Sequence, residues 1–549
     1  MNPIINRHSR TGCSRMSEMI SSPWHQCIIY SADTRTRWKN RKGMKRMDWL
    51  TLKSGSDVRG TAVGEGAVLT DEVALALGAA FVRKLCAEKG KKASEITISL
   101  GRDSRISGPA LLAAAAEGIR KAGAVAIDFG MCTTPAMFMS TITDGFRTDG
   151  AIMITASHHP WNKNGLKFFT EKGGLEGNEI SELLRDAQAP HDELHEEGEI
   201  RQISFLPVYM KQLADRIRKG LGTTDQQPLR GLQVAVDAGN GAGGFYAELL
   251  EQLGASTEGS QFLEPDGRFP NHIPNPENPD AIQSLQAAVT ASGADVGVIF
   301  DADCDRAAIV DGDGKAINRN RLIALISAIL LEEKKGQTIV TDSVTSSGLA
   351  DFIREHGGRH YRFKRGYRNV IDEAIRLNRE GESCPLAIET SGHAALRENH
   401  FLDDGMYLVT VLIIRAMIMK RRNDKLGSLI ADLREPVEST EIRLNITDQD
   451  FRTIGEKVIR SVLDYAGKDP DWHIAPDNRE GIRISFDLND KNDAGWFLLR
   501  LSVHDPVMPL NAESDIPGGV KDMLQRLYNV ISDSKGIDLT PLKQAAGVD

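Results

Sequence analysis

Two hydrophobic periods alternate along the chain. Short continuous apolar runs at 95–100 (EITISL), 151–154 (AIMI), 232–236 (LQVAV), 296–300 (VGVIF), 338–342 (TIVTD) and 385–388 (PLAI) have the composition of buried strands. Between them, helical spacing predicts helices over about 70–89, in the Ala/Leu-rich half of 101–124, near 205–220 and at 321–333 (RLIALISAILLEE). Strand and helix in alternation predict an α/β chain. Near Leu433 the pattern changes. The segments at 439–446, 480–487 and 495–503 alternate as strands do, a helix is predicted at 449–466, and Gln525–Ile531 closes a final helix, so the last unit reads as α+β.

The chain has 549 residues, more than one core serves, and three or four domains are expected. Its 41% hydrophobic and 26% charged content is that of soluble globular protein. No apolar run reaches membrane-spanning length: the longest, 408–419, is short and carries Arg415. Six cysteines without a CxxC pair argue against a disulfide framework and a zinc site, so reduced thiols are expected. Charge is uneven. Residues 1–47 hold ten Lys/Arg against Glu18 and Asp33, net +8, and since the whole chain carries −9 the remainder carries −17. An acidic body excludes general nucleic-acid binding, so an anionic substrate needs local cations. The basic, Ser/Thr-rich leader fits an organelle transit peptide, with the plastid stroma as destination. The alternatives are a disordered extension or an upstream start, and a cytoplasmic protein.

Two loops carry candidate chemistry. In TASHHPWNKNGLK, 155–167, Ser157 stands in a loop at the end of the AIMI strand, beside His158 and within loop reach of Lys167. A serine so placed can take a phosphoryl or acyl group, because His158 or Lys167 can move its proton and a cation can hold the resulting anion. Taken alone, the stretch reads equally as a solvated polar loop. In FDADCDRAAIVDGDG, 300–314, Asp301, Asp303 and Asp305 alternate after a strand and can converge on one hard cation, for which Mg2+ is the natural candidate. Unpaired, the three would repel one another, so a metal or Arg306 must offset them. The competing reading is a DxD turn followed by a hairpin at DGDG. Gly312 stands where an EF-hand loop needs its glutamate.

Together these loops resemble the α-D-phosphohexomutases, which include phosphoglucomutase/phosphomannomutase and phosphoglucosamine mutase. In that family TASHNPxxxNGxK carries the phosphoserine and DGDxDR the Mg2+. The matching residues here are Ser157, His158, Asn164, Gly165 and Lys167, then Asp301, Asp303, Asp305 and Arg306, with His159 in place of Asn and Ala302 in place of Gly. The segments DVRG, with Arg59 in a Gly-bounded loop, and GRDSR resemble the family's first domain. Arg102 and Arg105 read as surface salt-bridging residues without an assigned role. GNGAGG and DGRFPNHIPNP, the latter a rigid loop, resemble its second domain, and IETSGH its sugar-binding loop. KRGYRNVID, 364–372, can present Lys364 and Arg368 to a phosphate. RLSVHDP, 500–506, resembles the RxSGTEP phosphate grip, with Val503 for Gly and His504 for Thr, a variant similar to a divergent plant-type branch.

The resemblance covers 48–549. It implies four domains around a central cleft, three α/β (48–198, 199–315, 316–432) and one α+β (433–549), and phosphate transfer between C6 and C1 of a hexose phosphate. Ser157 would carry phosphate, Lys167 would move protons, and Arg59 and His158 would support the phosphoserine. Asp301, Asp303 and Asp305 would hold Mg2+ with Ser157. Substrate would meet Arg306, Arg368, Glu389, Ser391, His393, Arg500, Ser502, His504 and Asp505. A hexose bisphosphate would be the activator, and the protein a monomer or homodimer. The rival readings are a phosphoglucosamine mutase, a non-catalytic sugar-phosphate sensor motivated by Val503, and a DxD phosphatase.

Overall fold

A computed structural model describes residues 47–191, 198–448, 450–489, 491–502 and 505–548, and Trp49–Asp549 forms one compact unit. The basic leader, apart from Met47, and most of the acidic stretch 191–200 lie outside the described residues, as do Val503 and His504.

Among the described residues, four sheets follow one another along the chain. The first has eight strands, with Thr97–Arg102, Val125–Met131, Gly150–Ile154 and Glu199–Gln202 parallel, and Lys163–Thr170 and Asp57–Thr61 added antiparallel at one side. The second runs in the order Ala316–Ile317, Ala307–Asp311, Val296–Phe300, Val234–Asp237. The third has five strands centred on Thr338–Thr341 and Leu386–Ile388, and the fourth is wholly antiparallel. Helices flank each sheet, giving three α/β units and a final α+β unit.

The capping chemistry explains the helix boundaries. Thr70 caps Asp71–Lys89, which ends on Gly90 at φ 64, a conformation that costs glycine nothing. Pro at the first turn opens Gly108–Lys121, Leu206–Gly220 and Pro279–Ser292. The apolar run at 408–419 lies within the buried helix Gly405–Arg421, whose Arg415 pairs with Glu332; among the described residues no helix is long and apolar enough to cross a membrane. One core runs through the first three units, from Phe129 and Phe205 through Phe300 to Leu325 and Ile413, while the last unit buries its own around Trp472, Phe486 and Phe497. Cys86, Cys132, Cys304 and Cys384 are free thiols.

Several expectations change. Arg59 and Lys167 lie on strands, not in loops: Asp57–Thr61 pairs with Lys163–Thr170, Arg59 facing Gly165. A Cβ at Gly165 would sit 2.5 Å from the Val58 carbonyl oxygen, so its absence is what lets these strands pair. The hairpin expected at DGDG is present, closing Ala307–Asp311 onto Ala316–Ile317. That hairpin places Ala316 in the second sheet, and pairing of Glu199 with Val125 places 199–202 in the first, so both unit boundaries shift by a strand. Gln525–Ile531 is the second half of Gly519–Ile531, and a further helix, Thr540–Ala546, follows with Pro541 in its first turn.

Candidate active site

Three loops meet where they leave the C-terminal ends of their strands: 155–162 after Gly150–Ile154, 301–306 after Val296–Phe300, and 389–393 after Leu386–Ile388. Ligand sites in α/β sheets form at that edge.

The first loop is held by Arg105, one of the two arginines of GRDSR. Arg105 is fully buried, and its guanidinium donates to the carbonyl oxygens of Ser157 (2.5 Å), His159 (2.7 Å), Pro160 (2.8 Å) and Lys163 (2.9 Å). It also pairs with Asp103 at 3.2 Å, which in turn accepts from the Thr155 hydroxyl at 2.7 Å. A planar fork of five N–H donors can span several fixed acceptors, so Arg105 is a clamp and not a surface residue. Burial pushes the Asp103 carboxyl up to about 6, with Arg105 drawing it back. The clamped loop keeps Ser157 at φ 52, a left-handed conformation that a serine adopts only when its surroundings impose it.

The hydrogen bonds at Ser157 fix its proton. Arg306 Nη2 donates to Ser157 Oγ at 2.6 Å, and the hydroxyl donates to Asp301 Oδ2 at 2.7 Å. The same Nη2 donates to His158 Nδ1 at 2.6 Å, so that nitrogen is the acceptor and the ring proton sits on Nε2. Burial, then Arg306, push the His158 imidazole down to about 2, and it is neutral. Arg306, expected on the substrate, is here bonded to Ser157 and also pairs with Asp301 at 2.9 Å. Arg59 bonds Asp57 (2.8 Å), and the charges of Asp303 and Asp305 also act on it.

Carboxylate oxygens of Asp301, Asp303 and Asp305 lie within 4.8 Å of one another, all buried. Asp303 accepts from Thr134 Oγ1 at 2.5 Å and Asp305 from Lys167 Nζ at 2.8 Å, but the second oxygen of each is buried without a hydrogen-bond partner among the described residues. Burial, then Asp305 and Asp301, push the Asp303 carboxyl up to about 8. Three carboxylates with two orphaned oxygens have the donor set of a hard divalent cation, and its charge would remove the repulsion. The residues therefore fit Mg2+. A second acidic group, Asp305 with His393 and Asp403, fits a metal less well: His393 Nδ1 is bonded to Asp403 at 2.5 Å, and although burial works against its charge, Asp403 and Asp305 raise it to about 9, which keeps an imidazolium. Burial likewise opposes charge on Lys167, but Asp305, Asp57 and Asp303 outweigh it and hold the ammonium well above the usual lysine range.

The third loop is stitched to the second by a bridge between Arg306 and His393 and by Ala307 N–H donating to the Gly392 carbonyl at 3.3 Å. Glu389 Oε1 accepts from Gly366 N–H at 2.6 Å, and the Ser391 hydroxyl lies 3.4 Å from its other oxygen. Burial beside Asp342 pushes the Glu389 carboxyl up to about 7. Tyr367, which the sequence reading passed over, stacks on His393 at 5.2 Å with Lys167 Nζ 5.5 Å from its ring centre. Arg368 is engaged elsewhere, by Glu176 of the first unit (2.5 Å) and Asp372 (3.0 Å), and Lys364 is exposed.

From the last unit, Arg500 approaches Glu480 at 3.9 Å, and its buried Nε has no hydrogen-bond partner among the described residues. Ser502 Oγ accepts from Asp505 N–H at 3.3 Å across the turn. His504, placed on the substrate with them by the sequence reading, lies outside the described residues.

Residues 51–191, 207–314 and 318–437 match the models of phosphoglucomutase/phosphomannomutase alpha/beta/alpha domains I, II and III respectively. A phosphomannomutase/phosphoglucomutase of Pseudomonas putida is 30% identical over 84% of this chain and 90% of its own. A phosphoglucomutase of Neisseria gonorrhoeae is 29% identical over 87% and 96%. The crystal structure of a phosphoglucomutase/phosphomannomutase family protein from Burkholderia thailandensis superposes with a TM-score of 0.72 at 28% identity, covering 89% of this chain and 98% of that one. Sequence and fold therefore agree, and the chain belongs to the phosphoglucomutase/phosphomannomutase family.

Proposed function

We propose that this protein interconverts hexose 6-phosphates and hexose 1-phosphates, glucose and mannose phosphates among them, by way of a phosphoryl group carried on Ser157. The observation that carries the reading is Ser157 Oγ, held between Arg306 Nη2 (2.6 Å) and Asp301 Oδ2 (2.7 Å) at the edge of a buried triple-aspartate cluster. The names of the Pseudomonas and Neisseria relatives support the choice of sugars.

In this reading the Ser157 Oγ–P bond breaks as a sugar hydroxyl oxygen bonds to phosphorus, giving a hexose bisphosphate. After the sugar reorients, its other phosphate returns to Ser157. Mg2+, held by Asp301, Asp303 and Asp305, would supply the charge that opposes the phosphate's. Lys167, kept protonated by its carboxylates, gives a proton to Ser157 Oγ as phosphate leaves and is reprotonated by the one the attacking sugar hydroxyl releases, the order reversing when phosphate returns. Arg306 and Arg59 stabilise the negative charge in transit, and neutral His158 donates through Nε2. Glu389, Ser391 and the His393 imidazolium would hold sugar hydroxyls, with Tyr367 fixing the ring of His393. Arg500, Ser502, His504 and Asp505 would grip the phosphate that is not being transferred. A hexose bisphosphate would load Ser157 at the start.

The test is turnover of glucose 1-phosphate and mannose 1-phosphate with Mg2+ and glucose 1,6-bisphosphate, for the wild type and Ser157→Ala. Turnover that Ser157→Ala abolishes is expected. Equal turnover by both would overturn the assignment of Ser157, and inactivity of the phosphate-loaded wild type on both sugars would overturn the function.

A further inference from the structure

The last unit reaches the third through a carboxylate whose partners are unusual for a structural ion pair. Glu480 Oε2 accepts from the Ser343 hydroxyl at 2.5 Å and from the Arg365 backbone N–H at 3.1 Å, while Oε1 lies 3.9 Å from Arg500 Nη1. Its side chain is only 13% exposed. A hydroxyl, a main-chain N–H just ahead of a helix and a guanidinium make the donor set with which proteins take phosphate oxygens.

The local geometry aims the carboxylate there. Gly481 follows it at φ 57, and a Cβ at that position would meet the Leu499 carbonyl oxygen at 2.2 Å and Arg500 Cα at 2.8 Å. The turn therefore lies directly on the Arg500 backbone, a closeness only glycine permits. On the other side the loop Lys364–Gly366, leading into the helix Tyr367–Arg379, donates from two successive N–H groups: that of Arg365 to Glu480, and that of Gly366 to the Glu389 carboxylate. A sugar held at Glu389 would thus lie beside a site at which the incoming anion meets one already present. The charge on Arg500 is under-compensated: burial holds its guanidinium below the usual arginine range, Glu480 opposes that only in part, and its Nε has no hydrogen-bond partner among the described residues.

We propose that Glu480 is an internal stand-in for the substrate's distal phosphate, occupying the Ser343, Arg365 and Arg500 donors and giving way when a sugar phosphate binds. The proposal rests on the mutase reading and adds to it a residue that sets affinity for phosphorylated over unphosphorylated sugar. Substrate binding then includes the displacement of one carboxylate, and a neutral side chain at 480 removes that competition.

The experiment is calorimetric titration of glucose 1-phosphate into full-length protein in a Ser157→Ala background, which prevents phosphate transfer, with Glu480 intact or changed to Gln or Asp. Glu480→Gln is expected to lower the Kd by about three- to tenfold, a change of at most about 1.4 kcal/mol. Glu480→Asp, which keeps the charge on a shorter arm, should fall between the two, and glucose without phosphate should show no change. Thermal melts check that each variant is folded. An unchanged or raised Kd in folded Glu480→Gln overturns the proposal and makes Glu480 a positioning residue for Arg500. If the Ser157 enzyme turns over sugar phosphates while Glu480→Gln fails to tighten binding, this inference alone is lost. If the loaded enzyme neither binds nor turns over any sugar phosphate, the mutase reading falls and takes it along.

Discussion

Replacing Arg105 by Met tests how the Ser157 loop is built. The change keeps most of the aliphatic stem but removes a guanidinium that reaches four carbonyl oxygens between Ser157 and Lys163 and the Asp103 carboxylate. A hydrogen bond involving a charged group contributes about 1.5–3 kcal/mol, and breaking a buried charge pair from one side costs about 3–5 kcal/mol. These terms do not add in full, because the loop can relax: Trp161 is 45% exposed and the 159–162 segment can turn its carbonyls to water. Asp103, already raised to about 6 with Arg105 in place, would take up a proton and so limit the penalty further. We therefore expect a loss of about 3 kcal/mol in unfolding free energy. The larger effect should fall on turnover: a displacement of Ser157 Oγ by about 1 Å costs roughly a hundredfold. KM should stay nearly constant, since Glu389, Ser391 and Arg500 are not among the groups Arg105 touches. Arg105→Lys, with three donors on one nitrogen, cannot span the same acceptors and should lie between. Urea unfolding, steady-state turnover and the phosphate content of Ser157 measure the three effects. A Met variant within about 1 kcal/mol of wild type and within threefold in kcat would refute the clamp.

Three further outcomes follow from the same geometry. Mg2+ at a hundred times its Kd should add about 2.7 kcal/mol to stability, seen as a raised Tm, and Asp303→Asn should lose most of that gain; an equal shift in the variant would move the metal elsewhere. Glu389, raised from 4.5 to about 7 chiefly by burial, keeps a proton in the folded state that the unfolded chain releases, so its contribution is fully present below about pH 4.5 and lost as pH rises through 7. Relative to Glu389→Gln, the wild type should thus lose up to about 3 kcal/mol between pH 4.5 and 8, which melts across that range would record. Gly165→Ala puts a methyl group 2.5 Å from the Val58 oxygen and 2.7 Å from the Thr155 oxygen, and should cost about 1–3 kcal/mol and lower kcat by separating the Arg59 strand from the Ser157 loop; wild-type kcat in the variant would count against that coupling.

What could be read from the sequence divides along a physical line. The acidic loop was legible because its problem is local: three carboxylates on alternate residues cannot all ionise side by side unaided, whatever surrounds them. The strands ending at Ile154, Phe300 and Ile388 were legible because full burial demands continuous apolar runs. Arg105 was not, since four of its five acceptors are main-chain oxygens, which every residue carries and no letter of the sequence distinguishes. GRDSR directly after a strand offered the one available signal, an Asp two residues before an Arg at the edge where ligands bind. Arg59 and Lys167 were placed in loops but lie on paired strands, because a glycine beside them signals a turn when the chain is read alone and a close strand crossing when the neighbour is known. Glu480 escaped for the opposite reason. It opens a run that alternates like a strand, and its meaning depends on Ser343 and Arg365, 137 and 115 residues away, so only the packing of the third unit against the fourth turns an ordinary glutamate into a competitor for phosphate.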